Sequence, residues 1–259
     1  MIGMPTLLEI KSVEESAQLC AELGLQFVEL NMNLPDYQVD RLAEIADNMG
    51  IYFTIHLDEL FNPCDFNERV ATAYTETILT TIDAAKKLGV PILNMHMPEG
   101  VYFTLPDQRV YLYDEYFDVF REKLTTFRNT CEAAIGSAPI KICVENTGGY
   151  DRAAFMRAGV DILLESPVFG LTFDIGHNAS IGFTDEIFIQ KYLDKLCHMH
   201  LHDAIGKSHH LALGDGTLDL HSYIDLARAC DCGVVLETKT VEALRRSVRW
   251  LNENNIMHI

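Results

Sequence analysis

The chain has 259 residues, with 38 acidic against 20 basic side chains and a formal net charge of −18. That excess disfavours nucleic acid and anionic membrane as partners, because such binding rests on Lys and Arg neutralising phosphates. No apolar run approaches the roughly 18 residues of a membrane span, and the start, MIGMPTLLEIKSVEES, lacks the basic region and apolar core of a signal peptide, so a cytoplasmic protein is expected.

Strand-like and helix-like segments alternate along the whole chain. A short first strand falls near Met1 to Leu7. The helix Val13 to Leu23 follows, with Ser12 as N-cap, Glu15 three residues on and Gly24 as a stop. The second strand is Gln26 to Met32, and the helix Val39 to Met49 ends at Gly50. The third strand, YFTIH, ends at His56, and a long helix from about Asn67 to Leu88 stops at Gly89. After PILNMH, ending at His96, comes a loop of a dozen or so residues and a helix from about Tyr113 to Ile135. Further strands end at Glu145 (IKICVE), Asp174 (FGLTFD), His200 (LCHMH) and Glu237 (GVVLE). Their helices lie near Asp151 to Leu164, Asp185 to Leu193, Leu220 to Ala229 and Val241 to Asn252.

Eight strand–helix units with no linker between them predict α/β architecture: a single (β/α)₈ barrel domain spanning residues 1–259. An open doubly wound sheet is the alternative. It is disfavoured because no G-x-G-x-x-G follows the first strand and because metal-binding residue types recur on six strand ends instead of gathering at one switch point. The seven cysteines are odd in number and mostly lie in apolar segments, as expected of reduced core thiols. Cys230-x-Cys232, without a second pair, reads as structural.

Glu145, Asp174, His200 and Glu237, on four consecutive strand ends, offer three carboxylates and an imidazole. That set suits Mn²⁺, Mg²⁺, Co²⁺ or Zn²⁺. Carboxylates packed so closely should raise one another's pKa unless a cation lies among them. His56 and His96 could hold a second ion with Glu145 bridging, or orient substrate hydroxyls. Two ions about 3.5–4 Å apart form the usual clamp for phosphodiester hydrolysis. In F-D-I-G-H, His177 lies just beyond the strand end, placed for a metal or for substrate. His198, His200 and His202 alternate and face one way; His200 is expected to be the one that reaches the metal, with His202-Asp203 supporting it. His209 and His210 precede LALGDG, a turn whose glycines allow close backbone approach. Lys207 or Arg109 could contact a substrate phosphate or carboxylate. Nucleophilic serine, phosphate-loop and thiol-redox motifs are absent.

The phrases VELN (Val28 to Asn31), VENTGG (Val144 to Gly149), FDIGH, HMHLHD (His198 to Asp203), HHLALGDGTLD (His209 to Asp219) and LET (Leu236 to Thr238) resemble the xylose-isomerase-like TIM barrels. That superfamily joins sugar isomerases and epimerases with endonuclease IV. The resemblance implies that Glu145, Asp174, His200 and Glu237 are the shared metal ligands. In the ketose 3-epimerase branch the two glutamates also shuttle the proton while the metal stabilises an enediolate. It implies substrate contact or a third zinc for His177, and further zinc ligands for His56, His96 and His210 if the chemistry is that of the nuclease.

The chain departs from the nuclease pattern at Ser208, where an Asp is expected, and at Ile175-Gly176, where Thr-Cys is typical. Its strand-end loops also carry few cations, chiefly Arg109, Arg152, Lys207 and Lys239. The expected activity is therefore a metal-dependent isomerase or epimerase acting on a small sugar or sugar phosphate. Glu145, Glu237 and His177 would be catalytic, and His56, His96, Lys207 and His210 would face substrate. An endonuclease IV-like phosphodiesterase is the alternative.

Overall fold

The structure, a computed structural model, describes residues 1–35 and 38–256; the last three residues of the expected domain lie outside that range. In chain order, β1 (Ile2–Pro5), α1 (Val13–Glu22), β2 (Phe27–Asn31), α2 (Val39–Met49), β3 (Tyr52–His56), α3 (Glu68–Leu88) and β4 (Ile92–His96) form the first part. A hairpin of β5 (Tyr102–Thr104) and β6 (Arg109–Tyr111) follows, then α4 (Leu112–Glu115), α5 (Phe117–Ile135), β7 (Lys141–Glu145) and α6 (Ala154–Leu164). After β8 (Phe169–Asp174) come α7 (Ile175–Ser180), α8 (Glu186–Lys191) and β9 (Leu196–Leu201). A second hairpin, β10 (Asp203–Ile205) with β11 (Ser208–Leu211), precedes α9 (Leu220–Ala229), β12 (Gly233–Leu236) and α10 (Val241–Glu253).

Eight of the strands close a parallel barrel in the order β1-β2-β3-β4-β7-β8-β9-β12, and β12 returns to β1. The (β/α)₈ architecture is therefore present, with both hairpins outside the barrel wall. The helix boundaries follow local chemistry. Ser12 caps α1 by accepting from the Glu15 N–H, and Asn67 caps α3 by accepting from the Arg69 N–H. Gly50 and Gly89 end α2 and α3 at φ of 66° and 67°, where a Cβ would be strained.

Several expected elements differ. The helix predicted from Tyr113 breaks at Tyr116 (φ −114°, ψ 43°), leaving α4 and α5. The helices expected from Asp151 and Asp185 start at Ala154 and Glu186, and the latter gives way to a 3₁₀ turn at Leu193–Lys195. The loop after His96 holds the β5–β6 hairpin, whose strand residues are largely exposed and so lack an alternating burial pattern. All seven cysteines are free and five are buried, in line with the reduced thiols expected. Among the described residues no helix is long and apolar enough to cross a membrane.

Parallel pairing aligns the strand ends. His96 pairs with Glu145 across β4 and β7, Asp174 with His200 across β8 and β9, and Asn31 with His56 across β2 and β3. Ladder register thus brings these residues to one level at the carboxyl mouth, before any side-chain interaction is counted.

Candidate metal centre and catalytic site

Glu145 is the hub of the mouth. Its Oε2 lies 3.4 Å from His56 Nε2, 3.6 Å from His96 Nε2 and 3.4 Å from His200 Nδ1, while Oε1 lies 3.2 Å from His177 Nδ1. Asn94 donates to Oε2 at 2.5 Å and is itself held by Thr172 at 2.6 Å. On the far side, Glu237 Oε2 faces His200 Nδ1 at 3.2 Å and His210 Nε2 at 3.5 Å, and its Oε1 pairs with Lys239 at 2.7 Å. Asp174 Oδ2 is 3.8 Å from His200 Nδ1 and 3.5 Å from His177 Nδ1, and both Asp174 oxygens are 3.1 Å from His202 Nε2. The four predicted ligands therefore converge. His56, His96, His177 and His210 join them.

Surrounding groups fix this arrangement. The Asp174 backbone N–H donates to Asn146 at 2.7 Å, and Asp174 Oδ1 accepts the His177 N–H at 2.6 Å. Asn146 in turn bridges to the buried Asp185. Asp203 accepts the backbone N–H groups of Ala204, Leu218, Gly214 and Gly216, which ties the G-D-G turn to the start of β10. His210 has a φ of 60°, unusual for a residue with a side chain, and its N–H donates to His202 Nδ1 at 2.8 Å. This contact seats the β10–β11 hairpin against the mouth.

The carboxylates were expected to raise one another's pKa unless a cation lay among them, and imidazoles and a lysine fill that part for Glu145 and Glu237. Burial alone would raise Glu145, but the imidazoles of His200, His96 and His177 outweigh it and hold the carboxyl well below its usual range. Glu237 is depressed in the same way, by His200, His210 and Lys239 acting against burial. Reciprocally, burial opposes the charge on His56 and His177, yet Glu145 and Glu29 raise His56 to about 9, and Asp174 and Glu145 raise His177 to about 9. His200 is pushed well upward against burial by Glu145, Glu29 and Glu237. Histidine protons supply the positive charge that the carboxylates need.

The donor set fits a divalent ion. Ligand atoms about 2.0–2.2 Å from one centre stand about 3 Å apart, close to the separations seen here. Buried His200 Nδ1, His210 Nε2 and Glu237 Oε2 face one another without a hydrogen bond, as ligands around a common ion would. Asp174, His202, His210 and Glu237 offer atoms within 4.8 Å of one another, as do His56, His96 and Glu145, and as do Glu145, Asp174 and His177. His202 approaches the Asp174 carboxylate as well, in keeping with the supporting position expected of it beside His200.

Not every candidate joins the cluster. Lys207 is exposed on the turn between β10 and β11 and makes no ion pair among the described residues, and Arg109 lies over the Tyr102 ring at 4.7 Å, on the exposed β5–β6 hairpin. A cavity of about 550 Å³ opens beside His96 and His177. The cation on its wall is Arg152, paired with Glu99 at 3.3 Å.

The main residue not singled out from sequence is Glu29. It is buried, with Oε1 3.0 Å from His200 Nε2 and Oε2 3.0 Å from His198 Nε2. A lone Glu inside the apolar strand FVELN was the available signal, because a buried carboxylate needs partners.

Comparison with known proteins matches residues 17–254 to the family described as xylose isomerase-like TIM barrel. An uncharacterized protein of Methanocaldococcus jannaschii is 23% identical over 220 residues, covering 82% of this chain and 80% of its own length. Among solved structures, a D-tagatose 3-epimerase-like protein superposes with a TM-score of 0.78 at 22% identity, covering 98% of this chain and 97% of the other. The 3-keto-D-glucoside 4-epimerase YcjR from E. coli gives 0.77 at 17% identity, covering 97% and 98%. The IOLI protein with a bound zinc atom gives 0.70 at 15% identity, covering 98% and 96%. These likenesses share the barrel. With a match across nearly its whole length, the chain belongs to the xylose isomerase-like TIM barrel family.

Proposed function

We propose that the chain, acting as one domain, is a metal-dependent epimerase or isomerase of a small polyhydroxy carbonyl compound, a sugar or sugar phosphate, and that it works in the cytoplasm. The observation that carries this reading is that Glu145 and Glu237 both face His200 Nδ1, at 3.4 and 3.2 Å. A substrate carbon between two carboxylates can lose a proton to one and regain it from the other on the opposite face or at the neighbouring carbon. Both groups are held ionised, so either can take the substrate proton. The glutamate that returns one must first receive it from its neighbouring histidine, His177 for Glu145 or His210 for Glu237, or from water. His177, 3.2 Å from Glu145 Oε1, is placed to hold a substrate oxygen or pass it a proton. Glu145, Asp174, His200 and Glu237 would hold the ion, with His202 and His210 in reach. When bound, the ion would polarise the carbonyl and offset the charge that develops on the enediolate.

The His56–His96–Glu145 group favours a second reading, since Glu145 would bridge two ions as in a phosphodiesterase. Against it stand the net charge of −18 and a cavity wall whose cation, Arg152, is already paired with Glu99. The deciding experiment measures exchange of solvent deuterium into free and phosphorylated ketoses with protein loaded with Mn²⁺, Co²⁺ or Zn²⁺, alongside an abasic-DNA nicking assay at low salt. Exchange that stops on chelation is expected. Nicking without exchange would replace this reading with the phosphodiesterase.

A further inference from the structure

We infer that Glu29 is a positioning residue that presents His200 to the metal, acting from inside the barrel below the mouth. The inference rests on the metal-centre reading above. Strands β2 and β9 are not neighbours, because β1 and β12 lie between them, so a contact from Glu29 to His198 and His200 must cross the barrel interior.

Glu29 is 3% exposed and both its oxygens are engaged. Oε1 stands 3.0 Å from His200 Nε2; Oε2 stands 3.0 Å from His198 Nε2 and accepts from Thr54 Oγ1 at 3.2 Å. Thr54 is the direct ladder partner of Glu29 on β3, so the carboxylate is anchored from its own side of the barrel and reaches across to β9. No ion pair links Glu29 to His56, His96, His177, His202 or His210 among the described residues.

The two nitrogens of His200 thereby take different tasks. The Glu29 carboxylate, 3.0 Å from Nε2 though not aligned on it as a hydrogen bond, favours the proton on that atom electrostatically. With an ion in place of the second ring proton, Nδ1 is the atom left to bind it, and it points toward Glu145, Asp174 and Glu237, at 3.4, 3.8 and 3.2 Å. The contact favours the ring orientation that presents Nδ1 to the mouth, and the buried carboxylate of Glu29 is met by His198, His200 and the Thr54 hydroxyl.

The test strips the full chain with chelator and titrates it with Mn²⁺ or Zn²⁺ alone by calorimetry, and it records the visible absorption of the Co²⁺ form. Glu29→Gln keeps the side chain's shape and removes its charge. Removing such a partner typically weakens metal affinity by about 10–100-fold. That loss is expected here, with an altered Co²⁺ spectrum and unchanged stoichiometry. Parental affinity and spectrum in Glu29→Gln would overturn the inference. Loss of one full metal equivalent would also overturn it, by making Glu29 a ligand. If Glu29→Gln does not fold, Thr54→Val removes only the hydrogen bond to Oε2 and should still weaken binding; unchanged affinity there counts against the role equally. A parent protein that binds no divalent ion overturns the inference together with the metal centre. A parent that binds metal tightly but exchanges no ketose proton removes the proposed reaction and leaves the Glu29 result standing on the affinity ratio.

Discussion

Without metal, the protein should lose stability as the pH rises from 6.5 to about 9.5, and His56 shows why. Its ring is buried, with Nε2 3.4 Å from Glu145, and its pKa is raised from 6.5 to about 9 because Glu145 and Glu29 outweigh desolvation. A folded-state pKa above the unfolded one means the contribution is complete below pH 6.5 and lost as the pH rises through 9. The rise corresponds to about 3 kcal/mol. For a domain of this size that is a fall in Tm of roughly 6–12 °C. His177, also raised to about 9, shares Glu145 with His56, so the two contributions overlap and do not add. Glu145 and Glu237 have the opposite sign. Their depressed pKa values give stability above about pH 4.5 that is lost on further acidification. The chelated protein should therefore be most stable between about pH 4.5 and 6.5. Scanning calorimetry of chelated and Zn²⁺-saturated protein from pH 5 to 10 measures this, and the gap between the two should widen with pH as the ion replaces the departing protons. His56→Gln provides the control against general charge repulsion, since it should flatten the chelated profile. An equal slope in parent and His56→Gln would refute the assignment.

Three further outcomes follow from the same geometry. Asp203→Ala removes the acceptor of four backbone N–H groups and should cost about 3 kcal/mol by denaturant titration, freeing the G-D-G turn; a loss under about 1 kcal/mol would contradict its anchoring role. Gly176→Ala would place a methyl 1.9 Å from His202 Cε1, so the ring must move away from Asp174 and metal affinity should fall, as equilibrium dialysis with Zn²⁺ would reveal. Lys239→Gln removes the cation 2.7 Å from Glu237 Oε1. Glu237 loses one of the groups that lower its pKa, so the acidic limb of the pH–rate profile should move to higher pH, and an unmoved limb would exclude Glu237 as the base.

The barrel and most of its mouth were legible because two periodicities coincide. Apolar runs mark the buried strands, and the ligand types stand where those runs stop, so ladder register converts sequence position into a shared level. The exposed β5–β6 hairpin carries no such pattern, and its Tyr102, Phe103 and Val110 read as loop. The break at Tyr116 leaves no trace because flanking residues on both sides favour helix. Glu29 and Asn94 were missed for a different reason. Each stands in mid-strand and has partners on strands that are not its neighbours, His198 and His200 on β9 for Glu29 and Thr172 on β8 for Asn94, a relation that exists only once the barrel closes. The depressed pKa values of Glu145 and Glu237 were not legible, because the acids could be counted at the strand ends whereas the distances to His96, His177, His200 and His210 could not.

Those distances also make the two glutamates unequal. Glu145 is clamped by Asn94 and faced by four imidazoles, with its side chain 2% exposed, so its position is fixed by the protein. Glu237 is more open at 14%, follows β12 directly instead of lying within it, and has one oxygen on the exposed Lys239. A carboxylate buried among imidazoles is suited to hold an ion in fixed geometry, whereas one beside a solvent-reaching lysine can exchange its proton without opening the barrel. In the proposed reaction Glu145 would contribute first to the geometry of the centre and Glu237 to its proton traffic. The asymmetry arises from their neighbours on β4 and β8 in one case and from a single loop cation in the other.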